Sequence, residues 1–190
     1  MTGPAAADLR AAAGAAQHLL ASVPDFSAPV PAMDGDVRRV VVHIATCLQW
    51  YAHDLVAGNT ESPGPMPSWP DEASPADLVR ELGVSAEVLA RVVALAGPDD
   101  RAWHPWGVAD AAGMAGIGIA EIVLHTDDVA SALGLPWSPP AGPVAATLVR
   151  LFPDAPADGD PWPALRWASG RGDLPGRERV TEWRYAMAVR

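Results

Sequence analysis

A long apolar stretch from Ala111 to Leu133 constrains the fold of this chain more than any other segment. Its length and composition predict a helix that ends at Gly134, with Pro136 beyond it. The stretch is long enough to span a bilayer, but the acidic residues in its second half make that costly. We therefore expect the buried helix of a soluble helical bundle.

Four ionisable residues interrupt this apolar stretch, and the first two of them, Glu121 and His125, are spaced as EIVLH. Four residues are about one helical turn, so both side chains leave the same face and can bind one cation. Ionisable groups on a buried face are costly unless they are paired or bound to a metal. An exposed polar stripe, or a carboxylate–imidazole pair in the core, would account for the same spacing.

A third candidate ligand comes from the segment Gly35 to Val56, whose sequence predicts an amphipathic helix that stops at Gly58. His43 lies in its middle, between Val42 and Ile44. A single histidine on an apolar face is more often a hydrogen-bonded core residue than a ligand. Two helices that each contain a misplaced histidine favour a shared metal site.

Other residues share the face of His43, because about 100° separates successive residues of a helix. Cys47 could be a fourth ligand, but a small thiol inside a helix favours core packing. Trp50 belongs to the core or walls a pocket. Arg39, one turn before His43, either reaches a carboxylate of a substrate or thiol, or faces solvent.

Three further positions have two interpretations each. Asp128, on the same face as His125, either orients a ligand or moves a proton, or else ends the helix in solvent. His53 and Asp54 are expected to cap their helix or to face solvent. His104, in an aromatic loop, either lines the mouth of a pocket or packs on the surface.

Composition excludes several classes of protein. The formal net charge is −10, which argues against a nucleic-acid partner because phosphate binding needs a basic face. A single cysteine excludes an internal disulfide and fits the reducing cytoplasm. We find no targeting or membrane segment. The sequence does not distinguish a monomer from a homodimer.

Two more helices complete a predicted bundle. The first runs from Ala5 to Ala21. The third begins after a capping Ser74, extends to Leu95, and is expected to be broken or bent around Gly83 and Ser85. Four helices joined by loops predict an all-α bundle, the architecture that builds metal sites from facing side chains.

The remaining segments connect or extend the bundle. Asn59–Pro70 predicts a proline-rich loop, and Arg101–Gly107 predicts a loop or a short extended piece. The chain changes character near Pro140, so we divide it into a bundle, residues 1–138, and a C-terminal extension, residues 139–190, packed on the bundle. In the extension we expect short helices at Ala145–Leu151 and Trp162–Ala168 and an extended Arg179–Ala186.

Three phrases of the sequence resemble a known family. VVHIA surrounds His43, EIVLHTDD runs from Glu121 to Asp128, and WASGRGDLPGR begins at Trp167, ahead of a WRY tail. Together they resemble the DinB-like superfamily, close to actinobacterial members of the mycothiol-dependent maleylpyruvate isomerase metal-binding domain family. Two family features are absent: a tryptophan at the entry to the second helix, and a glycine–tryptophan after the last ligand.

The resemblance implies a DinB-like four-helix bundle with a short mixed C-terminal extension. It implies a divalent metal, zinc or nickel, held by His43, Glu121 and His125 with one coordination position open. It further implies mycothiol or another low-molecular-weight thiol, and a transferase or isomerase reaction on a small electrophilic metabolite. Asp128 and Arg39 are then catalytic candidates, and Arg39 and Trp50 are candidates for binding the thiol. A water-activating enzyme and a non-catalytic metal- or ligand-binding bundle remain as alternatives.

Overall fold

The computed structural model describes residues 3–61, 69 and 73–189. Within them the chain is mostly helical, as predicted, with two small antiparallel sheets of two strands each. The elements, in chain order, are α1 (Ala6–Leu20), β1 (Pro29–Val30), a 3₁₀ turn (Pro31–Met33), β2 (Gly35–Asp36), α2 (Val37–Ala57), α3 (Pro75–Leu95), β3 (Ala102–His104), β4 (Gly107–Ala109), α4 (Ala111–Leu133), α5 (Ala141–Leu151) and α6 (Pro161–Ala168).

Helix α4 is the central element of the bundle and is buried along most of its length. At Gly118 a Cβ atom would lie 2.7 Å from Leu89 of α3 and 3.1 Å from both Leu48 of α2 and Leu9 of α1. The absence of a side chain therefore lets three helices meet α4 at one point. Each of the three leucines is fully buried, which stabilises the fold by about 1.5–3 kcal/mol per side chain. No helix in the described part of the chain is long and apolar enough to cross a membrane.

Local capping explains where the bundle helices begin and end. The side chains of Asp36, Ser74 and Asp110 accept backbone N–H groups in the first turns of α2, α3 and α4. Helices α2 and α4 end at Gly58 and Gly134, whose φ angles of 67° and 65° favour glycine. The predicted starts and stops of these helices are thus confirmed to within two residues.

Helix α3 corrects one expectation, because it runs without interruption through Gly83 and Ser85. Gly83 instead makes room for Gln17 of α1, whose amide donates to the carbonyl of Val79. Ser85 is fully buried and its hydroxyl accepts a 3.0 Å hydrogen bond from Gln49 of α2. Both small residues serve contacts between helices, so a break in α3 was the wrong prediction.

The structure also corrects the expectation that Asp54, near the end of α2, faces solvent. Asp54 is fully buried and accepts a 2.8 Å hydrogen bond from the side chain of Asn59, just past the helix. It therefore does not face solvent, whereas its neighbour His53 is exposed. Most of the predicted Asn59–Pro70 loop lies outside the described residues.

The Arg101–Gly107 segment takes the extended form that the sequence left open. Strands β3 and β4 pair as an antiparallel hairpin in which Trp103 faces Val108 and His104 faces Gly107. The hairpin connects α3 to α4 and places His104 and Trp106 near α2 and α4.

The chain beyond residue 139 packs against α4. Helices α5 and α6 form close to where they were predicted, and Arg179–Ala186, expected to be extended, is in neither a helix nor a strand. Arg150 of α5 is 6% exposed and donates hydrogen bonds to Asp110 and to the carbonyl of Ala186. Further ion pairs join Arg166 to Asp127 and Arg171 to Asp128. The exact boundary between bundle and extension stays a prediction.

Candidate metal centre

Helices α2 and α4 bring together the three residues that the sequence singled out as metal ligands. The Nε2 atoms of His125 and His43 lie 3.0 and 3.3 Å from the same oxygen of Glu121, Oε2. One ligand atom from each residue lies within 4.8 Å of the others. The two imidazole rings meet edge to face, with centroids 4.9 Å apart. The three residues form a compact group that could hold a metal ion.

Glu121 is the shared member of this group, and the bundle holds its other oxygen as well. The hydroxyl of Tyr51, on α2, donates a 3.1 Å hydrogen bond to Oε1 of Glu121. Burial alone would raise the pKa of Glu121, but hydrogen bonds from His125 and His43 outweigh burial and hold the pKa below its ordinary value. Burial and the charge of Glu121 raise the pKa of Tyr51, so its hydroxyl remains a donor. The carboxylate is therefore ionised and fully hydrogen-bonded.

His125 is oriented by a second carboxylate, that of Asp128. The Nδ1–H group of His125 donates to Oδ2 of Asp128 over 2.9 Å, which turns Nε2 toward Glu121. Burial lowers the pKa of His125, but Asp128 and Glu121 together raise it to about 9. An imidazole that donates its far N–H to a carboxylate is the usual arrangement around a metal-binding histidine.

Arg171, from the C-terminal extension, holds Asp128 in turn. Its Nε and Nη2 atoms donate to the two oxygens of Asp128, each over 3.0 Å. Asp128 is 8% exposed and so is not the solvated helix end that the sequence allowed. Burial opposes the ionised form of both groups, yet hydrogen bonds from His125 and Arg171 lower the pKa of Asp128, and the hydrogen bonds to Asp128 raise the pKa of Arg171. A chain of contacts thus runs from the extension to His125.

The donor set fits a divalent cation of the zinc class. Two imidazoles and one carboxylate, with a further position open, are the ligands of hydrolytic catalytic zinc sites, whereas structural sites use four protein ligands. Hydrogen bonds from His125 and His43 stabilise the negative charge of Glu121. A bound cation would take over that role.

Cys47 lies beside the group without joining it. Its sulfur is 3.7 Å from Nε2 of His43, and the side chain is 5% exposed. Burial, together with the charge of Glu121, raises the pKa of this thiol. The thiol is therefore protonated at neutral pH and is a poor nucleophile.

A cavity of about 280 Å³ opens onto the three residues. Besides them, its wall includes His104, Trp106, Leu124, Arg171, Trp183 and Tyr185. A larger and more open depression of about 450 Å³ lies on the C-terminal extension and shares Trp183 and Tyr185 with the cavity. The small cavity is the one that contacts the candidate ligands.

The structure places two predicted binding residues outside this wall. Arg39 is exposed in the first turn of α2. Trp50 is buried between Tyr51 and Trp103, with ring centroids 5.5 and 6.0 Å away. Neither lines the cavity, although the helical period places both near the face of His43.

Sequence patterns assigned no role to Arg171 or Tyr185, and they left His104 either at the mouth of a pocket or packed on the surface. Arg171 was visible only as part of the WASGRGDLPGR phrase, more than forty residues beyond His125. Its position follows from the docking of the extension, which no local pattern encodes. A buried arginine that pairs with an acidic residue of the site is recognisable only in three dimensions.

The fold and the site define the class of protein: a helical bundle with a two-histidine, one-glutamate site built from facing helices. The model of the mycothiol maleylpyruvate isomerase N-terminal domain family matches residues 9–130, and the chain belongs to this family. The matched region includes all three candidate ligands. Comparisons with curated proteins and with solved structures find no match.

Proposed function

We propose that this protein is a metal-dependent enzyme of the mycothiol type, a transferase or isomerase that uses an external thiol to act on a small electrophilic metabolite. The observation that supports this most is the grouping of His43, Glu121 and His125 in the wall of a cavity. That grouping occurs in a chain of the mycothiol maleylpyruvate isomerase N-terminal domain family.

The three residues would hold one divalent cation, zinc or nickel. When bound, the cation would supply Lewis acidity that lowers the pKa of a thiol or a water molecule. Asp128 accepts the Nδ1–H of His125 and so keeps the other ring nitrogen directed at the site. Tyr51 holds the second oxygen of Glu121 and fixes the rotation of its carboxylate.

The properties of Cys47 support the use of an external thiol. Cys47 is buried, its pKa is raised, and it does not line the cavity. The side chain of His43, by contrast, is 40% exposed, so the site is open to a molecule that enters the cavity. We place the activity in the cytoplasm, where such thiols stay reduced.

The wall of the cavity supports a small acidic substrate. Leu124 and Trp106 provide apolar surface, and Arg171 provides a guanidinium group whose charge is shared with Asp128. A short carbon skeleton with a carboxylate matches this mixture. Arg39 and Trp50 lie outside the wall, so the cavity itself does not support the binding roles predicted for them.

The first test is metal binding. Protein purified without chelator and reconstituted with zinc should bind about one equivalent, and His43→Ala should lose most of the affinity. His18→Ala is the matched control, because His18 is an exposed histidine of α1. Zinc binding below about a tenth of an equivalent in the wild type would refute the metal centre.

The second test is thiol binding, followed by calorimetry of zinc-loaded protein with mycothiol, glutathione and cysteine. We expect mycothiol to bind, and to bind more weakly after Glu121→Ala. If a site with one equivalent of zinc binds no thiol, a water-activating or non-catalytic bundle replaces this proposal.

A further inference from the structure

His104 occupies a defined position beside the metal centre and has no part in the scheme above. It is the last residue of β3, lines the cavity, and is 7% exposed. Its ring packs against Tyr51, Trp106 and Tyr185, with centroids 6.1, 5.4 and 5.9 Å away. These contacts come from α2, the hairpin and the C-terminal extension, and they hold the ring in one orientation.

The hairpin also fixes the tautomer of this ring. The backbone N–H of Trp106 donates to Nδ1 of His104 over 3.2 Å, so Nδ1 is an acceptor and the proton of the neutral ring lies on Nε2. Burial lowers the pKa of His104, although the charge of Glu121 acts in the opposite direction, and the ring is neutral at pH 7. Its one lone pair is used by Trp106, so His104 is not a fourth metal ligand.

The Nε2–H group of His104 has no hydrogen-bond partner among the described residues. The Nε2 atom is not fully enclosed by protein. It is therefore accessible from the cavity that the His104 ring lines. Because the rest of the ring is nearly buried, the acceptor for this group is a molecule in the cavity, either water or a bound ligand. Both oxygens of Glu121 are already engaged, by Tyr51 and by the two histidines.

We propose that His104 donates its Nε2–H group to an oxygen atom of the small molecule that binds beside the metal centre. This inference rests on the proposed function and adds a criterion for which small molecules bind in the cavity. The preferred ligand has a carbonyl or carboxylate oxygen within reach of His104, while the rest of the molecule contacts the apolar wall.

The tautomer can be tested without any metal. Long-range ¹H–¹⁵N correlation spectra of the full chain should show His104 as a neutral ring protonated on Nε2 at pH 7, with assignment by loss of the signals in His104→Gln. A ring protonated on Nδ1, or a charged ring, would overturn the proposal whatever the protein does with zinc.

The donor role is tested with acetohydroxamate, a small oxygen ligand for open metal sites, titrated into zinc-loaded protein. His104→Phe keeps an aromatic ring but removes the donor, and should weaken binding of this probe about tenfold or more. His104→Gln keeps a side-chain N–H and should stay within about threefold of the wild type. Both variants should bind zinc as the wild type does, since neither alters a ligand.

The outcomes separate this inference from the proposed function. Equal probe affinity in the wild type and in both variants, with zinc bound in all three, would show that His104 contributes only packing. The proposed metal centre would not be affected by that result. Failure of the wild type to bind zinc would appear in the metal titration, before any probe is added, and would overturn the proposed function.

Discussion

Asp128 offers the sharpest test of how this chain builds its site, because it contacts a candidate ligand without being one. The change Asp128→Ala removes the acceptor of the Nδ1–H of His125. Loss of such an outer carboxylate weakens metal binding by about 10–100-fold, which corresponds to about 1.4–2.7 kcal/mol. The side chains of His125 and Asp128 are only 13% and 7% exposed, so solvent screens the contact little, and we expect the upper half of this range.

The same change also destabilises the fold, since it leaves Arg171 without its partner. Arg171 is 20% exposed, so the loss should be about 2–4 kcal/mol, somewhat below that for a fully buried pair. Stability and zinc affinity must therefore be measured separately, by urea unfolding of metal-free protein and by competition with a chromogenic chelator. At saturating zinc the variant should still bind one equivalent.

Asp127→Ala is the matched control for this experiment. Asp127 is the adjacent carboxylate, it pairs with Arg166 of the same extension, and it makes no contact with His125. It should lose stability, by about 1–2 kcal/mol because Arg166 is more exposed, but keep the zinc affinity of the wild type. If Asp128→Ala and Asp127→Ala bind zinc equally well to within about twofold, the orienting role of Asp128 is refuted.

Three further predictions concern the surroundings of the site. Cys47→Ser should cost about 1–2 kcal/mol in urea unfolding, because it places a more polar group in a buried position, and should leave zinc content unchanged; stoichiometric loss of zinc would identify Cys47 as a ligand. Tyr51→Phe should weaken zinc binding about tenfold, because Oε1 of Glu121 loses its donor while the ring still fills its space; an affinity equal to the wild type would show that this hydrogen bond is dispensable. A chain truncated after Pro139 should be insoluble or strongly destabilised, because α4 loses the surface and ion pairs supplied by the extension; an unchanged melting temperature would contradict this.

Much of the candidate site could be predicted from the sequence because its residues are related by helical periodicity. Glu121 and His125 are one turn apart in a segment whose composition leaves little choice but a buried helix. His43 lies among apolar residues of another such segment. Capping residues, such as Ser74 and Gly134, defined the helix ends for the same local reason.

Predictions from local sequence patterns were less reliable for residues whose surroundings depend on contacts formed in the folded bundle. Gly83 and Ser85 indicate a break in α3 when they are considered alone, but in the bundle they are small because Gln17 and Gln49 approach them. Asp54, near the end of α2, was expected to cap the helix or to face solvent, and it is buried. For Gly83 and Ser85 the partner that explains the residue lies on another helix.

The sequence by itself determined the helical class, the helix ends and the three candidate ligands. Each of these was recognised from neighbours within a turn or two along the same helix. The contact between Asp128 and His125 follows from their spacing on one helix. Only the tertiary structure decided that Asp128 also meets Arg171 while adjacent Asp127 meets Arg166. Only the tertiary structure also placed His104 beside the site. About 100° of helix rotation separates Asp127 from Asp128, and which direction faces which partner depends on how the C-terminal extension docks on α4. That docking is set by the packing of surfaces distant in sequence, which no pattern within one segment contains.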